Sequence, residues 1–194
     1  MITIHGFLFD LHGVIADSWQ YHLKSWQTVA QELDIPWTTT LATQLPGMSR
    51  QDSLTAILAS GGRENSLTPA QFRQLTEHEN ALYRQFVAAM TPANRLPGVT
   101  AFLAELQRAG YPLALASAST NAAAELLGLP PTACVAFEDT VTGVQSASAA
   151  GCVTIGINAT PLAPVAAMLP GTAALSLAAV RQVLAPQVEL AERL

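Results

Sequence analysis

"FLFDLHGVIADS", residues 7–18, decides how this chain is read. Its apolar, strand-like run Phe7-Leu8-Phe9 delivers a carboxylate, Asp10, into a turn containing Gly13. His12 stands two residues after Asp10, and a second carboxylate, Asp17, follows. Working outward, strand-like runs recur at Ile2 to Phe9, Pro112 to Ala116, Cys134 to Phe137 and Cys152 to Ile157. Helical patterns lie between them, and that alternation predicts an α/β fold built on a parallel sheet. Ala101 to Ala109 places Phe102, Leu103 and Leu106 on one face and stops at Gly110. Val141 to Ala150 is a small-residue helix suited to close packing on a sheet.

Residues 18–90 differ, being helical with no convincing strand. Trp19, His22, Leu23, Trp26, Ala30 and Leu33 recur at helical spacing. Ser-Arg-Gln-Asp from Ser49 is a capping-box pattern, and Thr68-Pro69 opens a further helix carrying Phe72, Leu75, Leu82 and Phe86. The expected organisation is a Rossmann-like core, residues 1–16 and 92–194, interrupted by a helical cap, residues 17–91.

The chain has 194 residues, enough for one domain with a real core and a small inserted module. Half of them are hydrophobic and 12% are charged, the composition of a well-packed soluble enzyme. A net charge of -5 without a basic cluster argues against nucleic acid as a partner. No charged residue lies between Thr140 and Val180, but Pro161, Pro164, Pro170 and Gly151, Gly156 and Gly171 interrupt that stretch, so no membrane span is expected. The N-terminus lacks a basic flank and a cleavage site. Cys134 and Cys152 read as buried, reduced thiols, and a cytoplasmic monomer is expected.

In open parallel sheets, ligands bind beyond the C-terminal ends of the strands. Three strand ends here carry polar groups: Asp10 and His12, then Ser117 and Ser119 in "ALASAST", then Glu138 and Asp139 in "VAFEDT". Three carboxylates on one rim are electrostatically costly without a cation, and Mg²⁺ is the natural counter-ion. A hydroxyl such as Ser117 can donate to a phosphoryl oxygen. A carboxylate beside Mg²⁺ can attack phosphorus to form an aspartyl phosphate.

At these residues the sequence resembles the haloacid dehalogenase superfamily, and within it the β-phosphoglucomutase group. The first motif is similar to "DLDGVI-DS" with His12 in place of the second Asp. "LASAS-N" through Asn121 is similar to the second motif, and "EDTVTGVQSA" to the fourth. "YHLKSWQ", "LPGMSRQDSL" and "LPGV" match the cap and the return to the core. The resemblance covers nearly the whole chain. It implies a phosphorylated Asp10 and Mg²⁺ held by Asp10, the backbone carbonyl of His12, Glu138 and Asp139. It also implies sugar-phosphate contacts from His22, Trp26, Gly47, Arg50, Ser117, Ala118 and Asn121. The implied reaction interconverts β-glucose 1-phosphate and glucose 6-phosphate through a bisphosphate.

The chain departs from that pattern in three places. His12 replaces the acid that would move the proton, a task within reach of an imidazole. Only Thr120 to Ala133 separates Ser119 from the strand at Cys134, where relatives carry a helix, a strand and a Lys-Pro turn. The missing strand would lie at the sheet edge, leaving Pro112 to Ala116 as an apolar edge strand, and the only lysine in the chain is Lys24. In the cap, Pro46 and Glu79 stand where relatives place basic residues, and Glu79 is expected on a solvated helix face. Asp17 is expected to order the hinge or cap the first cap helix. The departures leave two alternatives to a mutase: a phosphatase of the same superfamily, and a catalytically silent phosphate-binding protein.

Overall fold

The computed structural model describes residues 1–116, 120–186 and 188–191. Ser117 and Ala118, expected at the end of the second core strand, lie outside the described residues, as does Ser119. The chain forms two compact units, Met1–Asp17 with Asn94–Leu194, and Ser18–Ala93. No helix among the described residues is long and apolar enough to cross a membrane.

The first unit opens with two short strands, β1 (Ile2–Ile4) and β2 (Gly6–Phe9). The second unit is helical: α1 (Trp19–Glu32), α2 (Thr39–Gln44), α3 (Arg50–Ser60) and α4 (Pro69–Val87). The chain then returns to the first unit through α5 (Val99–Arg108), β3 (Leu113–Leu115), α6 (Thr120–Leu126), β4 (Cys134–Glu138), α7 (Val141–Ala149) and β5 (Val153–Ile157). It ends with β6 (Ala167–Leu169), α8 (Leu177–Leu184) and β7 (Val188–Leu190).

Five parallel strands form the main sheet in the order β3-β2-β4-β5-β6. From β2 the chain moves outward to β3 on one side, then crosses to β4 on the other and continues outward. The connections therefore diverge between β2 and β4, and in parallel sheets such a switch point opens a crevice at the strands' C-terminal ends. Among the described residues β3 pairs only with β2, so it is the expected edge strand, with Leu115 half exposed. The Ile2 to Phe9 run does not form one strand. It breaks at His5, and β1 leaves the main sheet to pair in parallel with β7.

Alternation along the strands gives the sheet two unlike faces. Phe7, Phe9, Val135, Phe137, Val153 and Ile155 share one face with Phe102 and Leu106 of α5 and Val180 of α8. Phe9 and Phe137 stack there with ring centroids 4.9 Å apart. Leu8, Cys134 and Ala136 share the other face with Ala123 and Ala124 of α6 and Ala147 of α7. Small side chains on both sides of that interface let α6 and α7 approach the strands closely. Both cysteines are free thiols buried in this layer, and burial, reinforced by Cys134, pushes the Cys152 thiol up to about 12.

The helical unit has its own core. Trp26, Val29 and Ala30 of α1 pack with Leu41 of α2, Leu54, Ile57 and Leu58 of α3, and Ile35. The anticipated caps are in place: Ser49 accepts from the Asp52 amide at the start of α3, and Thr68 and Gln71 form a capping box with Pro69 in the first turn of α4.

Candidate active site

Register builds the acidic site. Phe9 of β2 lies opposite Phe137 of β4, so the next residues, Asp10 and Glu138, leave neighbouring strands at the same level, and Asp139 follows. Ligand oxygens from Asp10, Glu138 and Asp139 all lie within 4.8 Å of one another. The Asp10 amide donates to Phe137 O (3.1 Å), fixing the loop to the neighbouring strand. The loop then closes on itself, with the amides of Ile15 and Ala16 donating to Leu11 O and that of Gly13 to Ala16 O.

Two glycines make room for the acids. Gly13 has φ +74, and a Cβ there would lie 1.8 Å from Asp139 Oδ2. A Cβ on Gly143, in the first turn of α7, would lie 2.0 Å from Glu138 Oε2. Any side chain at either position would displace a carboxylate. The same turn is capped by Thr140, whose Oγ1 accepts from the Gly143 amide at 3.1 Å. Asn158, just beyond β5, donates from Nδ2 to Asp139 O at 3.1 Å and so holds the third acid's backbone. Sequence reading missed Asn158, Gly143 and Thr140. Asn158 follows a strand-like run just as Asp10 does, and that position was the available signal.

Burial raises Asp10 from 3.8 to about 6, although the Leu11 and His12 amides oppose the shift. Burial, with the charges of Asp10 and Asp139, raises Glu138 from 4.5 to about 8. A close set of carboxyl oxygens that resists ionisation is what a hard, oxygen-preferring dication relieves, so these residues fit Mg²⁺. Without metal, the folded chain holds these protons to higher pH than the unfolded chain. Their contribution to stability is full below 3.8 and 4.5 and is lost as pH climbs through about 6 and about 8. Mg²⁺ binds the deprotonated set. Saturating Mg²⁺ should therefore raise Tm by roughly 5 to 10 °C at about pH 8 and by much less at about pH 5. Thermal melts with and without Mg²⁺ at both pH values check this, and equal shifts would argue against metal at this cluster.

A second polar cluster lies within the helical unit. Glu79 of α4, expected on a solvated face, is instead fully buried. Its Oε1 accepts from Ser25 Oγ (2.6 Å) and lies 3.2 Å from His22 Nδ1, while Oε2 accepts from Arg50 Nε (2.9 Å). Burial alone would raise Glu79. Hydrogen bonds from His22 and Ser25, the His22 charge and the Arg50 hydrogen bond outweigh it and hold the carboxyl below its ordinary value. His22 stacks flat on Tyr83, with centroids 3.7 Å apart. Sequence reading missed Ser25, Tyr83 and the role of Glu79.

Trp26 is buried in the helical unit's hydrophobic core. Gly47 occupies the turn between α2 and α3 with φ +82. Asn121 is exposed in the first turn of α6. Asp17 does not hold the N-cap position of α1, which belongs to Ser18, but its amide donates to Asn94 O at 3.0 Å.

Comparison with known proteins identifies the family. The family model described as haloacid dehalogenase-like hydrolase matches residues 4–124. The β-phosphoglucomutase of Bacillus subtilis (strain 168) is 30% identical over 185 residues, covering 78% of this chain and 82% of that protein. Hexitol phosphatase A of Escherichia coli (strain K12) is 29% identical over 189 residues, covering 79% and 83%. Among solved structures, a β-phosphoglucomutase from Clostridium difficile aligns with a TM-score of 0.79 at 24% identity, covering 93% of this chain and 97% of that one. With more than half of its length, the Asp10 loop included, inside the family match, the chain belongs to the haloacid dehalogenase-like hydrolases.

Proposed function

We propose that this chain is a Mg²⁺-dependent enzyme that transfers a phosphoryl group from a sugar phosphate through an aspartyl phosphate on Asp10. The observation that carries the reading is the convergence of Asp10, Glu138 and Asp139 at the ends of β2 and β4. Asp10, Glu138, Asp139 and the backbone carbonyl of His12 would hold the metal, which supplies charge neutralisation for the nucleophile and the phosphoryl oxygens. Residues 1–16 and 92–194 would form the phosphotransfer core and residues 17–91 the cap. The protein would act as a monomer, and the buried free thiols suit a reducing compartment such as the cytoplasm.

In the first step an Asp10 carboxylate oxygen attacks phosphorus and the ester P–O bond breaks. The departing oxygen takes a proton from the His12 imidazolium. In the second step an acceptor O–H attacks the aspartyl phosphate, Asp10 leaves as carboxylate, and His12 takes the acceptor's proton back. Ser117, Ala118 and Asn121 would contact the phosphoryl group, and His22, Gly47 and Arg50 the sugar, whereas Trp26, buried in the helical unit's core, would not. If the acceptor is a sugar hydroxyl, the reaction is that of a β-phosphoglucomutase, interconverting β-glucose 1-phosphate and glucose 6-phosphate. The Bacillus relative supports that acceptor. If it is water, the enzyme is a phosphatase, which the hexitol phosphatase relative supports.

Phosphorus NMR of the protein with Mg²⁺, β-glucose 1-phosphate and a trace of glucose 1,6-bisphosphate tests this reading. Glucose 6-phosphate identifies the mutase, and inorganic phosphate identifies the phosphatase. An unchanged spectrum here and with a panel of sugar and sugar-alcohol monophosphates would overturn the enzymatic reading in favour of a silent binder.

A further inference from the structure

Asp139 is the acid that strand pairing does not hold. Glu138 lies inside the β4–β5 ladder, opposite Gly156, and the Asp10 amide is tied to Phe137 O. Asp139 is the first residue past that ladder, where the chain turns into α7. A side chain reaches its carbonyl instead. Asn158, just beyond β5, donates from Nδ2 to Asp139 O at 3.1 Å.

The Asn158 carboxamide is itself fixed. Its Oδ1 accepts from the Thr160 amide at 3.0 Å, and its backbone amide donates to Leu169 O at 3.0 Å, at the end of β6. The Thr160 amide can only donate, which settles the oxygen end of the carboxamide and leaves the NH₂ facing the Asp139 carbonyl. Asn158 thus bonds toward the strands on both sides of β5. Asp139 is confined from two other directions as well. Gly13 approaches its carboxylate so closely that a Cβ there would lie 1.8 Å from Oδ2. The next residue, Thr140, is anchored by the Gly143 amide as the cap of α7.

Such confinement matters most for discriminating between cations. Mg²⁺ demands near-ideal octahedral geometry at about 2.0 to 2.1 Å, whereas Ca²⁺ takes six to eight oxygens at about 2.3 to 2.6 Å in flexible arrangements. Cavity size and ligand rigidity therefore decide between them. The sheet sets the level of Asp10 and Glu138 on adjacent strands, so Asp139 is the ligand whose position the loops control.

We propose that Asn158 is a positioning residue that holds Asp139 for the smaller dication and so biases the Asp10–Glu138–Asp139 cluster toward Mg²⁺ over Ca²⁺. The inference rests on the reading that these three carboxylates hold the metal, and it assigns the selectivity to a residue outside the ligand set. Asn158 acts through the backbone of Asp139.

Asn158→Ser isolates the contact. Serine is neutral, and its hydroxyl can still accept from the Thr160 amide, but it is too short to reach Asp139 O. Metal-free parent and variant are titrated calorimetrically with MgCl₂ and, separately, with CaCl₂. The variant should bind Mg²⁺ roughly 10- to 100-fold more weakly, the scale on which losing a partner of a metal ligand acts. Its Ca²⁺ affinity should change by less than about threefold, since Ca²⁺ tolerates a displaced ligand. A merely structural role would lower the metal-free Tm and weaken both ions by the same factor, and that result would overturn the proposal. Asn158→Ala, which loses both side-chain bonds, should shift the Mg²⁺/Ca²⁺ ratio at least as far. A ratio that moves in neither variant overturns the role of Asn158 and leaves the metal reading standing. If the parent binds neither ion, the metal reading fails and this inference falls with it.

Discussion

Asp10→Asn is expected to reduce phosphoryl transfer from any sugar phosphate this chain accepts by roughly 10⁴-fold or more, the scale on which losing a covalent nucleophile acts. The amide is close in shape and fits the same loop, but it has no anionic oxygen to attack phosphorus. Folding should not suffer, and the sign of that effect is diagnostic. Burial raises Asp10 to about 6, so at about pH 8 the metal-free chain carries an ionised carboxylate that the fold disfavours. Removing that charge should raise the Tm of the metal-free protein and relieve Glu138, whose own rise owes part of its size to Asp10. The Mg²⁺-induced gain in Tm should shrink in the same variant. Activity assays and melts made together separate the outcomes: lost turnover with a higher metal-free Tm supports the nucleophile. Retained turnover would remove Asp10 from the chemistry.

The strand that delivers Asp10 was legible because a short apolar run before a polar turn has few other readings in an α/β chain. The paired acids at the end of β4 were legible for the same reason, and register with β2 then placed them beside Asp10. Local hydrogen-bonding chemistry located the starts of α3 and α4, since Ser49 and Thr68 cap within three residues of themselves. Elements whose identity depends on a distant partner were not legible. Ile2 to Phe9 is one apolar run in sequence, yet β1 pairs with β7, and that partner lies at the far end of the chain. The short strands β6 and β7 carry too few residues for a periodic signal. Glu79 shows the same limit in the candidate site. A glutamate within a charged helix reads as solvated, and only tertiary structure brings Ser25, His22 and Arg50 to it across 54, 57 and 29 positions.

His12→Asp is expected to raise turnover by roughly 10²-fold, within the range that a well-placed general acid and base contributes. An imidazole can move the proton, but its donating form is a cation. In that form it must share a small site with the dication that Asp10, Glu138 and Asp139 fit. A carboxyl donates as a neutral group and accepts as an anion, so at each step its charge complements the metal. The backbone conditions for the exchange are already present. The residue-12 amide opposes the rise of Asp10, a backbone contribution that the exchange keeps. The pH profile should change with the rate: an imidazole donor loses its proton near neutrality, whereas a carboxyl acts at more acidic pH. Steady-state rates from about pH 5 to 8 for both proteins measure the two effects at once. A rate and profile that do not move would place the limiting defect elsewhere, and the chain offers one clear location. Its only lysine, Lys24, lies on α1 with Nζ 4.4 Å from the centre of the Phe86 ring. The crossover from β3 to β4 carries none, so the charge neutralisation that a lysine supplies to the transferring phosphoryl group, generally worth several kcal/mol, would then be the missing term.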